Sequence, residues 1–102
     1  MSIKKDYLAD KGICRVNFSL PPDTGNSSKT VCIVGDFNNW DQKRIHFKKR
    51  EDGSYSVTLE LKIGNEYQFR YLIDETQWEN DNEADKHVPS RYQDSQNSVI
   101  VI

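Results

Sequence analysis

Little in this chain points to catalysis or to a charged partner. Its 102 residues carry 14 Lys and Arg against 16 Asp and Glu, a formal charge of −2, which is too small a field to draw nucleic acid or an anionic membrane from a distance. Neither is expected as a partner. No window approaches the roughly 20 consecutive apolar residues of a membrane span. The segment Met1 to Tyr7 has two lysines but no apolar run behind them, so no secretory signal is expected and the protein reads as cytoplasmic. A chain of this length makes one domain and cannot hold the roughly 250 residues of a (β/α)8 barrel. A Gly-rich phosphate cradle, a CxxC pair and an HExxH signature are all missing. No catalytic residue, no metal and no cofactor is expected.

Cysteine is scarce too, with two residues. In the run 13–20 the apolar set is Cys14, Val16, Phe18 and Leu20, which puts Cys14 on a core face. In Val31-Cys32-Ile33 the inward residues are Val31 and Ile33, so Cys32 faces the other way. Two thiols on opposite faces read as reduced. The histidines, His46 and His87, have no Cys and acid beside them in the pattern that nucleophilic catalysis needs.

What the chain does have is short alternating runs separated by turn residues. Strands are expected at 13–20, 30–34, 45–49, 54–61, 66–74, 77–79 and 97–102. The clearest are 54–61, with Tyr55, Val57, Leu59 and Leu61 inward, and 66–74, with Tyr67, Phe69, Tyr71 and Ile73 on one face and Gln68, Arg70 and Leu72 on the other. No helix of three turns is indicated. About seven strands with turns between them predict an all-β antiparallel sandwich. Residues 1–12 carry no strong period and read as an extension, with a short helical turn at Tyr7 and Leu8; the domain proper is 13–102.

Two tryptophans stand out against this frame. Trp40 ends the loop Gly35-Asp36-Phe37-Asn38-Asn39-Trp40, where Gly35 is expected to permit the bend and Phe37 to turn inward as a pin. An indole among polar loop residues either touches a ligand or folds back over the sandwich as a lid. Trp78 follows the strand at 66–74, and Arg70 points away from the core toward the face these loops would border. Two flat apolar surfaces near a guanidinium suit a sugar, whose C–H faces stack on indole while its hydroxyls seek planar donors and acceptors. The other reading of Arg70 is a surface ion pair with Glu79 or Glu66. Six carboxylates between Asp74 and Asp85 read as a solvated acidic loop. A thin domain offers no cleft to raise one pKa for glycoside hydrolysis. Asp81, Glu83 and Asp85 alternate as in a calcium loop, but Lys86 stands where the sharp-turn Gly belongs.

Taken together, Val31-Cys-Ile-Val-Gly-Asp-Phe-Asn-Asn-Trp40, Asp52-Gly-Ser-Tyr-Ser-Val-Thr-Leu59, Glu66-Tyr-Gln-Phe-Arg-Tyr-Leu-Ile-Asp74 with Trp78, and Asn97-Ser98-Val99 resemble the family 48 carbohydrate-binding module. This family is also called the isoamylase N-terminal or early-set domain, and includes the glycogen-binding domain of the AMP-activated kinase β subunit. The resemblance covers 13–102. It implies an immunoglobulin-like sandwich and non-catalytic binding of α-1,4-linked glucan such as glycogen, starch or maltodextrin. It assigns Trp40 and Trp78 to sugar stacking, and Asn97 to a hydrogen bond with the glucan. Arg70 falls where glycogen-binding relatives use Lys, and Ser95 near a polar contact. Tyr92 and Gln93 are the residues nearest a position that is aliphatic in those relatives. Many such modules precede the barrel of glycoside hydrolase family 13 enzymes, so the alternative implied is a protein-interaction module associated with a glucan-active enzyme or kinase.

Overall fold

The computed structural model describes residues 2–24, 30–90 and 95–102, and these form nine strands in two antiparallel sheets. In chain order they are β1 (Ser2–Leu8), β2 (Ile13–Leu20), β3 (Val31–Gly35), β4 (Lys48–Lys49), β5 (Tyr55–Lys62), β6 (Glu66–Ile73), β7 (Gln77–Glu79), β8 (Lys86–Pro89) and β9 (Gln96–Val101). One sheet runs β1-β2-β5-β4 and the other β3-β6-β9-β8, with β7 paired to the second half of β6. The all-β immunoglobulin-like sandwich is therefore present, with nine strands rather than seven.

The interior forms where the alternating faces of the two sheets meet. Cys14, Val16, Phe18 and Leu20 of β2 lie opposite Leu61, Leu59, Val57 and Tyr55 of β5, so one column of apolar pairs lines the first sheet. Against it pack Phe69, Tyr71 and Ile73 of β6, with Ile33 of β3 and Ile100 of β9. Aromatic edges meet faces in the centre, with ring centroids 5.4 Å apart for Phe18 and Phe69 and 5.6 Å for Phe69 and Tyr71. Truncating a ring here would cost about 3–5 kcal/mol.

Residues 2–12 are not a loose extension: β1 pairs with β2 along its whole length, from Ser2 opposite Ser19 to Leu8 opposite Ile13, and the expected helical turn is present one residue later, as a 3-10 turn at Ala9–Lys11. The inward register of β1 holds Ile3, Lys5 and Tyr7, opposite Phe18, Val16 and Cys14. Lys5 conceals the alternation, because its ammonium reaches the other sheet and donates to Asp85 Oδ2 at 2.8 Å and to the Val101 carbonyl at 3.0 Å. A lysine in the inward register also discourages further strand addition at this edge.

Between β3 and β4 the chain changes sheets. Ile33 N donates to Ile45 O and Phe47 N to Val31 O, so 45–47 borders the free edge of β3 before β4 joins β5. Phe47 is buried and His46 exposed, the alternation expected of this segment. The β6–β7 hairpin turns through Asp74 and Glu75, at φ 53° and 65°. Positive φ at both central residues matches the twist of antiparallel strands.

Candidate functional site

Strand β6 organises the outer face of the second sheet. Its residues of one parity, Gln68, Arg70 and Leu72, turn away from the core, as their alternation requires. Leu72 joins Cys32 and Val34 of β3 in a small second apolar cluster, and the Trp40 indole packs on it. On the other flank of β6, Trp78 lies directly opposite Leu72 in the β6–β7 register. The two tryptophans therefore stand on either side of the same strand.

Local chemistry holds Trp40 in an uncommon conformation. Asn39 and Trp40 have φ of 56° and 58°, a left-handed pair that is strained for a bulky side chain. Several bonds enforce it. Trp40 N donates to Gly35 O at 2.9 Å, and the buried Asn38 accepts from Gly35 N and donates to Ile33 O, each at 3.0 Å. Phe37 turns inward against Tyr67 and Phe69, pinning the loop as expected. Gly35 has a different role from the one its position suggested. Its φ is −174°, plain extended backbone, and glycine is needed because β6 lies so close. A Cβ there would sit 2.4 Å from the Gln68 carbonyl oxygen and 2.8 Å from Phe69 Cβ.

Trp78 is held by its flank. It is 39 % exposed on a three-residue strand. Three residues on, Asp81 is fully buried, which corrects the expectation of a solvated side chain at this one position, while Asp74, Glu75, Glu83 and Asp85 are exposed as expected. Its carboxylate accepts from Tyr71 Oη at 2.6 Å and from Glu83 N at 2.8 Å, and its own N–H donates to Ser98 Oγ at 2.9 Å. Burial, then the Asp81 charge, pushes the Tyr71 phenol far above its ordinary value. Asn80 donates to Gln96 O and accepts from Ser98 Oγ, so the end of β7 is stitched to β9. Asp85 is likewise structural, bound to Lys5 and to Val101 N. Among the described residues no group of three His, Cys, Asp or Glu could hold a metal ion.

The floor between the indoles is a connected polar relay. Asn97 Nδ2 donates to Gln68 Oε1 at 2.9 Å, Arg70 Nε donates to Asn97 Oδ1 at 2.6 Å, and an Arg70 terminal nitrogen donates to Ser95 Oγ at 3.2 Å. Ser95 Oγ also meets Ser90 Oγ. The relay fixes the Asn97 amide and immobilises the guanidinium, while Gln68 Nε2 keeps no partner among the described residues. Among the described residues Arg70 forms neither alternative ion pair: Glu66 pairs with Lys86 at 2.5 Å, and Glu79 accepts from Gln77 Nε2 at 2.7 Å. Beneath Trp40, the Cys32 thiol is pushed up by burial and then by the charge of Glu75, so it stays protonated and unreactive.

These residues line one open depression of about 980 Å³, which takes in Asp36, Trp40, Gln42, Gln68, Arg70, Trp78, Pro89, Ser90, Ser95 and Asn97. Five of the six residues expected at the site are brought together: Trp40, Arg70, Trp78, Ser95 and Asn97. Tyr92, the sixth, and Gln93 lie outside the described residues. Strand parity already placed Gln68 beside Arg70, the one signal that could have added it to the set. Nothing in the sequence marked Pro89 or Ser90, which arrive through the β8–β9 pairing.

A shallow groove with indole walls and a guanidinium–amide floor, set on the outer face of a β-sandwich, defines a surface binding module. The chain belongs to the family of the glycogen recognition site of AMP-activated protein kinase, whose model matches residues 24–101. That match agrees with a family 48 type of carbohydrate-binding module, a non-catalytic class. Curated proteins give no significant match to the chain.

Proposed function

We propose that this protein binds α-1,4-linked glucan (glycogen, starch or maltodextrin) without cleaving it, the sugar rings stacking on Trp40 and Trp78 and their hydroxyls bonding to Arg70, Asn97 and Ser95. The observation that carries this reading is the convergence of both indoles and the Arg70–Asn97 pair on one open groove. Stacking suits the C–H face of a pyranose, and rigid planar donors suit its hydroxyl rim. Affinity is weak, since a shallow groove covers few ligand atoms against the entropy lost on binding. Two free thiols are compatible with a cytoplasmic setting. There a glucan-metabolising enzyme is the partner expected for such a module.

Titration with maltoheptaose or β-cyclodextrin, followed by tryptophan fluorescence, tests the proposal. A saturable change, lost in Trp40→Ala and in Trp78→Ala, supports it; no change at millimolar sugar overturns it. A second reading, docking to a protein, draws on exposed apolar side chains outside the groove: Tyr7, Ile63 and Val101. Recovery of a glucan-active enzyme or kinase that survives Tyr7→Ser and Val101→Ser would discard that surface.

A further inference from the structure

The two indoles are not chemically equivalent. Trp40 Nε1 donates to Asp36 Oδ1 at 2.9 Å, and the second oxygen of the same carboxylate accepts from Gln68 N at 2.8 Å. Trp78 has no such partner among the described residues. Asp36 thus ties the Trp40 wall to the strand that forms the floor, with one carboxylate bridging an indole N–H on the loop and a backbone N–H of β6. Each donor has its own oxygen of the carboxylate, and a hydrogen bond to a charged acceptor is among the stronger ones. The bridge coincides with the left-handed pair Asn39 and Trp40, a conformation that persists only where its surroundings over-determine it.

We infer that Asp36 is a positioning residue for the ligand: it holds the Trp40 ring with its face toward the groove and its N–H withdrawn, so that Trp40 offers stacking alone while Trp78 offers both a face and a free N–H donor. The inference rests on the glucan-binding reading. It adds a division of labour between the indoles and a role for a residue that makes its contribution through Trp40. Holding the ring in place before binding reduces the ordering cost of the complex.

The test combines binding with a spectroscopic readout on the intact chain. Asp36→Ala and Asp36→Asn are compared with wild type by calorimetric titration with maltoheptaose, and by the exchange rate and shift of the two indole N–H protons in ¹⁵N-labelled protein. Asp36→Ala is expected to bind about tenfold more weakly and to expose the Trp40 indole proton to rapid exchange. Asp36→Asn, with one acceptor for two donors, falls between the two. In wild type, ligand should move the Trp78 indole proton far more than that of Trp40. Dispersed amide signals for β5 and β9 identify variants that keep the fold.

If wild type binds but Asp36→Ala binds equally well, this inference fails and the glucan reading stands. If affinity drops in Asp36→Asn while Trp40 indole exchange is unchanged, Asp36 touches the ligand itself and the positioning role is wrong. If wild type does not bind, the functional reading fails and takes the inference with it.

Discussion

Replacing Gly35 with alanine tests whether the sandwich and the groove share one constraint. The added Cβ would lie 2.4 Å from the Gln68 carbonyl oxygen, 2.8 Å from Phe69 Cβ and 3.0 Å from Phe69 Cα. Backbone atoms on a central strand cannot rotate out of the way as a long side chain would. Either β3 and β6 separate locally or the Gly35 end of β3 lifts, and both weaken the pairing of Gly35 with Phe69. Overpacking of this kind costs about 1–3 kcal/mol, which for a domain of this size lowers Tm by about 5–20 °C. Because Gly35 O accepts from Trp40 N and Gly35 N donates to Asn38 Oδ1, the displacement should reach the indole, so maltoheptaose affinity falls together with Tm. Thermal unfolding followed by circular dichroism gives the first number and calorimetry the second. An unchanged Tm would refute the close-approach argument, and a lowered Tm with intact affinity would refute its link to the groove.

Other substitutions separate fold from site. Trp78→Ala should abolish ligand binding while changing stability by less than about 1 kcal/mol, since the ring is partly exposed and packs on neither apolar cluster; Trp40→Ala should lose both, by uncovering Cys32, Val34 and Leu72, and denaturant unfolding distinguishes them. Tyr71→Phe should destabilise by about 2 kcal/mol, read from the urea midpoint, because it leaves a buried Asp81 oxygen without its donor. Burial raises the Asp85 carboxyl, but the Lys5 hydrogen bond, the Val101 amide and the Lys5 charge outweigh it, leaving the group below its usual value. Its contribution is therefore present above the unfolded carboxylate value of about 3.9 and lost as pH falls through the lower folded value, so Asp85→Asn should flatten stability against pH in that acid window, by no more than about 1 kcal/mol for so exposed a pair. A full-sized acid slope in Asp85→Asn would assign it to other carboxylates.

The parts of the molecule legible in its sequence are those where one face is apolar without interruption. The runs at 54–61 and 66–74 alternate cleanly, and from their parity came both the core column and the outward aim of Arg70. Other parts were concealed by a single residue acting over a distance. Lys5 occupies an inward register in β1 because its ammonium crosses to Asp85 and Val101, and this breaks the period that would have marked a strand. Strand β8 carries Lys86 and Pro89 at an edge, where the usual strand signals are weak. Asp81 reads as solvated by composition, and only the fold brings Tyr71 and Ser98 to it. The site was half legible: parity and loop position indicated Trp40, Trp78 and Arg70, while Asn97 and Ser95 came from family resemblance. The Gln68–Asn97–Arg70 relay depends on β6 and β9 being neighbours, which no local pattern records.

Chemical-shift mapping of the labelled chain during a maltoheptaose titration bears most directly on glucan binding at this groove. Saturable shifts are expected at the Trp40 backbone, the Trp78 indole, the Gln68 and Asn97 side-chain amides and the Arg70 Nε–H, with the first sheet undisturbed. Shifts confined to Tyr7, Ile63 and Val101, or none at millimolar sugar, would contradict it.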